Sequence, residues 1–295
     1  MANAAALPLA QAPGRARWLR RLALVPLALW VAILVAAPNL LLFVYSLWES
    51  ENGRTIQTVS LGNYVDILTS DVSRTLLIRT VLTALGASLL ATMIAYPMAY
   101  FVVRRLGKRR LLAVLLVIVP LWVSYLVRVY AWKIILGDSG VINTTLLSLG
   151  IVSEPITVLL YSRFAVLLVL TYVSIPFVFV ASYAALERIP SSLLEAGADC
   201  GASPPRVLRT VVWPLSRQGA AIGFALALLM CLGDYLTPTL VGGLQGTMFG
   251  NLIVSEFGLA NNWPRGAALA ITLLVVVGAL LAAVGRLTRT EAVLE

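Results

Sequence analysis

The chain has 295 residues, of which 60% are hydrophobic and only 12% charged, and its mean hydropathy is +0.93. Soluble domains are nearer half apolar and a quarter charged, so this composition excludes an ordinary soluble protein and indicates an integral membrane protein. The net charge of +9 would suit nucleic acid, but the basic residues are distributed among the connections between apolar segments, and no nucleic-acid partner is expected.

Six apolar segments are long enough to cross about 30 Å of hydrocarbon as helices. They are predicted at residues 22–47, 75–101, 111–136, 164–186, 217–240 and 267–286. The predicted fold class is therefore all-α, a polytopic membrane protein with six transmembrane helices. Residues 22–47 form the first of these, residues 75–286 form a domain with the other five, and residues 1–21 and 287–295 are tails.

Lysine and arginine are concentrated in alternate connections, which predicts the sidedness of the chain. By the positive-inside rule, both tails and the loop at 187–216 face the cytoplasm, and basic clusters there also meet anionic membrane lipid. The residues assigned to the inside are Arg15, Arg17, Arg20, Arg21, Arg104, Arg105, Lys108, Arg109, Arg110, Arg188, Arg206, Arg209, Arg217, Arg286 and Arg289. Those assigned to the outside are Arg54, Arg74, Arg163 and Arg265.

The sequence lacks the residues that several kinds of chemistry require. The chain contains no histidine, so a histidine metal site or catalytic triad is not expected, and we predict neither an enzyme nor a bound cofactor. Neither of its lysines, Lys108 and Lys133, stands in a Gly-x-x-x-x-Gly-Lys phosphate-binding loop. If nucleotide powers this protein, another polypeptide binds the ATP.

The cytoplasmic loop at 187–216 is predicted to contain two short helices. Ser192 and Glu195 have the spacing of a capping box, so the first helix begins at Ser192 and ends at Gly201. Ser203 followed by Pro204 starts the second, which Pro214 ends before the fifth span begins. We call residues 192–213 the knob.

Glu195 has two interpretations from the residues alone: a helix cap, or a contact for a basic group of Arg206, Arg209 or a partner. The segment resembles the EAA loop of binding-protein-dependent ABC importer permeases, with Gly197 and Trp213 as its departures from that pattern. The resemblance implies a type I ABC importer permease fold in which the knob couples to an ATPase. Gly197 is expected to weaken the first helix by up to about 1 kcal/mol relative to alanine. The matching residues are Glu195, Ala196, Gly201, Ala202, Leu208, Val211 and Pro214.

Six further segments resemble permeases of the spermidine/putrescine type: residues 119–133, 140–143, 149–150, 233–235, 242–243 and 262–267. The resemblance implies the transmembrane subunit of an ATP-driven importer in a bacterial inner membrane. Its implied partners are ABC ATPase subunits, a second permease, usually a different chain, and an extracytoplasmic solute-binding protein. A polyamine is the implied substrate, although permeases of this kind also carry opines and other small solutes.

Asp234 is the one carboxylate inside a predicted span, where an ionised group costs about 2.5–3.5 kcal/mol on insertion scales. Three placements are open: the substrate path, an ion pair with Arg128 or Lys133, and the membrane interface. Aromatic faces attract amines, and the aromatic residues proposed to line the path are Trp122, Tyr125 and Tyr235.

The competing functional class is a secondary transporter or channel driven by an ion gradient, in which Asp234 would bind a proton or cation. That class leaves the knob unexplained, and the sequence has no obvious internal repeat. An exporter or assembly scaffold is disfavoured by the resemblance to importer loops.

Overall fold

The computed structural model describes residues 25–26, 29–51 and 53–289, with side chains up to residue 286, and most of these residues are helical. The predicted tail at 1–21, the start of the first span and residues 290–295 lie outside this part. A small antiparallel hairpin, β1 (Glu49–Glu51) and β2 (Arg54–Ile56), pairs Ser50 with Thr55. The helices are α1 (Leu29–Ser46), α2 (Gly62–Thr69), α3 (Asp71–Arg105), α4 (Arg110–Ile118), α5 (Tyr125–Leu136), α6 (Val141–Ser148), α7 (Arg163–Glu187), α8 (Ser191–Asp199), α9 (Pro204–Leu232), α10 (Phe249–Phe257) and α11 (Trp263–Arg289).

Five of the described helices, α1, α3, α7, α9 and α11, are individually long and apolar enough to cross a membrane. Two further arms, Gly107–Trp122 and Tyr125–Ser148, are long and apolar enough only when taken together, and they meet at an angle of 94°, as in a broken span or a re-entrant loop. The all-α polytopic fold class is thus confirmed, but the expectation of one continuous helix over 111–136 was wrong. The bend follows a 3₁₀ turn containing Pro120, which has no N–H to donate, and extended backbone at Val123.

The fifth span also differs from its prediction. α9 begins at Pro204, well before residue 217, and ends at Leu232 rather than at residue 240. Pro214 does not end the helix of the loop, because a π-helical turn at Leu208–Val212 immediately precedes it. A wider turn of this kind accommodates a residue that cannot donate a backbone hydrogen bond.

The centre of the molecule is a bundle of α3, α7 and α9. α3 presents a stripe of small, fully buried residues at helical spacing, so the neighbouring backbones approach closely. α9 approaches α7 still more closely: a Cβ atom at Gly219 would lie 2.3 Å from the Cβ of Ala185. The stripe on α3 comprises Ala84, Ala87, Ala91, Ala95 and Ala99.

Two arginines connect the helix ends next to the knob. Arg104, at the end of α3, donates from Nη2 to the carbonyl oxygens of Leu186 (3.3 Å) and Ile189 (3.1 Å). Arg110, at the start of α4, donates to the Tyr183 hydroxyl and forms an ion pair with Glu187 at the end of α7. Basic groups are favourable at a helix C-terminus, where carbonyl groups have no partner in the helix.

Candidate functional site

Two helix interruptions meet at one place in the membrane domain. α5 begins at Tyr125 just beyond the bend in the third span, and α9 ends at Leu232 just before irregular backbone at residues 234–235. The Tyr125 hydroxyl donates a hydrogen bond to Asp234 Oδ2 and lies 2.8 Å from Thr237 Oγ1. One tyrosine therefore joins the two breaks, and we call Tyr125, Asp234 and Thr237 the break site.

Asp234 lies outside the regular helix in which the predicted span 217–240 placed it. Its Oδ1 atom accepts hydrogen bonds from the backbone N–H groups of Leu236 (2.8 Å) and Thr237 (3.3 Å). This is the arrangement of an N-terminal cap, and it starts the short helical turn that continues into the π-helix Pro238–Gly242. The half-buried carboxylate accordingly accepts hydrogen bonds from three donors, the Tyr125 hydroxyl and these two N–H groups.

No basic side chain in the described part of the chain pairs with Asp234. The guanidinium of Arg128 lies over the Tyr125 ring, 5.6 Å from its centroid. The ammonium of Lys133 lies 5.4 Å and 5.9 Å from the ring centroids of Tyr130 and Tyr161. A helix N-terminus such as that of α5 supplies only about half a positive charge, so the break site retains net negative charge.

The other residues predicted for the path are arranged differently. Tyr235 follows Asp234 directly and is 47% exposed, whereas Trp122 is 81% exposed and, within the described residues, makes no hydrogen bond or ring contact with the break site. Sequence reasoning missed Asn251 in α10, whose Nδ2 donates to the Tyr235 carbonyl (3.0 Å) and Thr239 Oγ1 (2.7 Å). The only sequence signal was a polar residue in an apolar segment.

The first helix of the knob begins one residue earlier than predicted and without the capping box. α8 starts at Ser191, with Pro190 in the N-cap position, and no side chain caps it. Ser192 therefore lies inside the first turn rather than in front of it, so the predicted reciprocal bonds between Ser192 and Glu195 do not form. Ser203 occupies the N-cap position of α9 with Pro204 next, but its side chain makes no capping hydrogen bond.

Gly201 turns the chain between the two arms of the knob. Its φ angle is +80°, a conformation that glycine adopts without the steric cost of a side chain. The N–H of Gly201 donates to the Ala198 carbonyl (2.8 Å) and that of Ala202 to the Gly197 carbonyl (3.1 Å), the two bonds of a Schellman motif. The carbonyls at the end of α8 are therefore satisfied within the turn.

The arms pack together through Gly197. A Cβ atom there would lie 3.3 Å from Val207 Cγ2, and Val207 is buried, so the glycine permits a close approach of the arms. This contact opposes the loosening expected from glycine in a helix. Leu194 and Leu208 anchor the knob to the membrane domain by packing against a buried cluster at the ends of α3, α7 and α9.

The remaining predicted residues of the knob differ in their exposure to solvent. Glu195, Ala196 and Pro214 are exposed, whereas Ala202 is half-buried. Within the described residues, neither Glu195 nor Asp199 forms an ion pair with a basic side chain. The knob therefore exposes two carboxylates, Glu195 and Asp199, together with Arg206 and Arg209, and it is packed firmly against the membrane domain.

Apolar spans, one of them broken, and a helical knob between the fourth and fifth define a multi-pass transport permease. The chain belongs to the family described as binding-protein-dependent transport system inner membrane component, whose model matches residues 16–286. It is an ABC importer permease and a multi-pass inner-membrane protein.

Similarity to individual proteins is consistent with this membership. The chain is 33% identical to the spermidine/putrescine transport system permease protein PotB of Escherichia coli, over 88% of this chain and 94% of the relative. It is 34% identical to the inner membrane ABC transporter permease protein YdcU of the same species, over 74% and 72% of the two chains. A subunit of a crystallised bacterial alginate ABC transporter has the same fold, with a TM-score of 0.70, 18% identity, and coverage of 94% of this chain and 96% of that one.

Proposed function

We propose that this chain is the membrane-spanning subunit of an ATP-driven importer that carries a polyamine or a similar small organic cation. The observation that supports it most directly is Asp234, a carboxylate at the junction of two helix breaks with no basic partner among the described residues. The similarity to PotB supports the same substrate class.

The chemistry of the break site suits an ammonium group. Asp234 supplies net negative charge, and the exposed ring of Tyr235 supplies an aromatic face beside it, which attracts a cation by about 0.5–2 kcal/mol. Both breaks free the backbone from regular helix, so small movements of the α5 arm can alter access to Asp234. Trp122, on the other arm of the bend, is proposed to line the same path.

Transport is proposed to be driven through the knob. The exposed surface around Glu195 would bind in a groove of an ABC ATPase, and closure of two ATPase subunits would move the knob and the attached ends of α7 and α9. A second permease, a different chain in this proposal, completes the pathway, and an extracytoplasmic binding protein delivers the solute. Both termini and the knob then face the cytoplasm.

The test is ATP-dependent uptake of labelled spermidine by the reconstituted transporter carrying Asp234→Asn. Asparagine is as good a cap as aspartate, so this substitution removes the charge and keeps the turn at 236–242. Spermidine uptake should fall at least tenfold, on the order of one lost charge contact. Asp66→Asn, which neutralises an exposed carboxylate in α2, is the matched control and should transport normally. Unchanged uptake and unchanged spermidine affinity in Asp234→Asn would remove Asp234 from the path.

A further inference from the structure

A second charged site lies at the end of the bundle remote from the knob, between α3 and α7. Arg79 donates from Nη1 to the carbonyl oxygens of Gln245 (2.9 Å) and Thr247 (3.3 Å). Arg163 donates from Nε to the same Gln245 carbonyl (3.1 Å). Two guanidinium groups thus converge on one neutral oxygen.

Neither arginine has a carboxylate partner within the part of the chain that the structure describes. Each guanidinium carries five N–H donors, and each arginine uses one of its nitrogens on the loop carbonyls. Arg79 is half-buried near the start of α3 and Arg163 is exposed at the start of α7, so the unused N–H donors of both side chains remain accessible. The pair can therefore bind an anion from outside this chain.

The arginines stand at one end of an open cleft of about 650 Å³ with apolar walls. α3 contributes Ile78, Leu82 and Gly86 to it, and α7 contributes Phe164 and Leu167. Gly86 lies about 10 Å further along α3 than Arg79, at 1.5 Å per residue, so the apolar walls extend from the charged end toward the middle of the helix. Ile78, Leu82 and Phe164 are 58%, 64% and 52% exposed.

We infer that this cleft binds one anionic phospholipid, with its phosphate at Arg79 and Arg163 and its acyl chains along the apolar walls. Charge complementarity selects this occupant, because two unpaired cations above an apolar groove in a membrane match an anionic amphiphile. The same charges repel an ammonium ion, so the cleft is distinct from the break site and its occupancy does not depend on the proposed substrate. By the predicted sidedness, the lipid belongs to the outer leaflet.

The test is native mass spectrometry of the full-length chain, in the complex in which it is isolated from its membrane, with phosphatidylglycerol or phosphatidylcholine as probe. The unaltered protein should retain one phosphatidylglycerol per chain and not retain phosphatidylcholine. Arg79→Gln or Arg163→Gln alone should weaken the binding of phosphatidylglycerol about fivefold, and the two substitutions together should weaken it about 30-fold. Arg74→Gln is the matched control, since Arg74 lies at the same end of α3 but outside the cleft. This variant should bind phosphatidylglycerol as the unaltered protein does.

A second variant keeps the test informative if the double variant misfolds. Leu82→Trp fills the cleft at an exposed position while leaving both arginines and their loop contacts in place, and it should also release the phosphatidylglycerol. The inference is overturned if the double variant Arg79→Gln/Arg163→Gln or the variant Leu82→Trp retains as much phosphatidylglycerol as the unaltered chain. It is also overturned if the variant Ile78→Cys forms a crosslink with another subunit of the intact complex, because protein then covers the cleft.

Discussion

At the scale of single residues, Tyr125 connects features that are far apart in sequence. Its hydroxyl reaches Asp234 and Thr237, more than a hundred residues away, while its ring lies beneath the guanidinium of Arg128. One tyrosine thus contacts a basic group through its ring face and a carboxylate through its hydroxyl.

Tyr125→Phe should raise the spermidine concentration that gives half-maximal uptake by about tenfold. The substitution keeps the ring and removes one hydrogen bond to a charged group, worth about 1.5–3 kcal/mol, so the carboxylate is no longer held at the α5 start. Concentration-dependent uptake in reconstituted vesicles measures the effect.

The matched control is Tyr130→Phe, because the Tyr130 hydroxyl makes no hydrogen bond with the described residues and its ring is also near a basic group. This variant should be indistinguishable from the unaltered protein. If both variants give the same half-saturation, the hydroxyl of Tyr125 does not contribute to the site.

At the scale of helices, a buried ion pair joins α10 to α11. Arg265 Nη1 lies 3.3 Å from Glu256 Oε1, and the side chains are 32% and 9% exposed. Asn262 accepts the backbone N–H of Arg265 (3.1 Å), which caps the start of α11. The segment at 262–267, which resembles polyamine-type permeases, therefore orients α11 against the helix that contacts the break site.

Glu256→Gln should lower the free energy of unfolding by about 2 kcal/mol. Removing one partner of a buried pair leaves an uncompensated charge, and the value is below the range of about 3–5 kcal/mol for full burial because Arg265 is partly exposed. Thermal unfolding in detergent measures the loss. Arg74→Gln breaks the exposed pair with Asp71 (4.0 Å) and should change stability by less than about 0.5 kcal/mol; an equal loss in both variants would contradict the assignment.

The knob can be tested as an element because the chain contains a second turn of the same design. Gly150, at the end of α6, has a φ angle of +67° and makes the two bonds of the Gly201 turn, from Gly150 N–H to the Leu147 carbonyl and from Ile151 N–H to the Leu146 carbonyl. Proline at either position removes a donor and forbids the positive φ angle. Gly201→Pro should abolish ATP-driven uptake and co-purification of the ATPase, whereas Gly150→Pro should leave the ATPase bound.

Glu195→Arg provides the same test without altering the backbone. Glu195 is exposed, so the protein should still insert and fold, but the reversed charge should prevent productive contact with the ATPase. Normal uptake and ATPase binding in both Gly201→Pro and Glu195→Arg would refute the coupling role.

At the scale of the whole molecule, the proposed sidedness can be read from the two native cysteines. Cys200 is exposed in the knob and Cys231 is buried in α9, and both are free thiols. A membrane-impermeant maleimide should therefore label the chain, expressed without ATPase subunits, in inverted vesicles and not in right-side-out vesicles. The control is Cys200→Ser combined with Leu244→Cys, at a position 95% exposed near the remote end, which should reverse the result. Labelling of Cys200 in right-side-out vesicles would show that the knob faces outward and would contradict the proposed coupling to an ATPase.

The sequence by itself determined the membrane class, the all-α fold and the position of the knob. Each depends on composition or on contacts within a few residues: a long apolar segment has no alternative to a helix in lipid, and a glycine beyond a helix end stops it locally. The turn at Gly201 needs only bonds between residues 197 and 202, so local pattern was sufficient to place it.

Tertiary structure alone decided where the helices break. The prolines of the apolar segments have different effects: α3 and α7 continue through Pro97 and Pro176, while the chain departs from regular α-helix near Pro120, Pro214 and Pro238. A proline removes one hydrogen bond wherever it stands, and packing in the bundle compensates for the loss only where neighbouring helices hold the segment. The junction of Tyr125 with Asp234 and the convergence of Arg79 with Arg163 both require residues about a hundred positions apart, and no local pattern specifies such contacts.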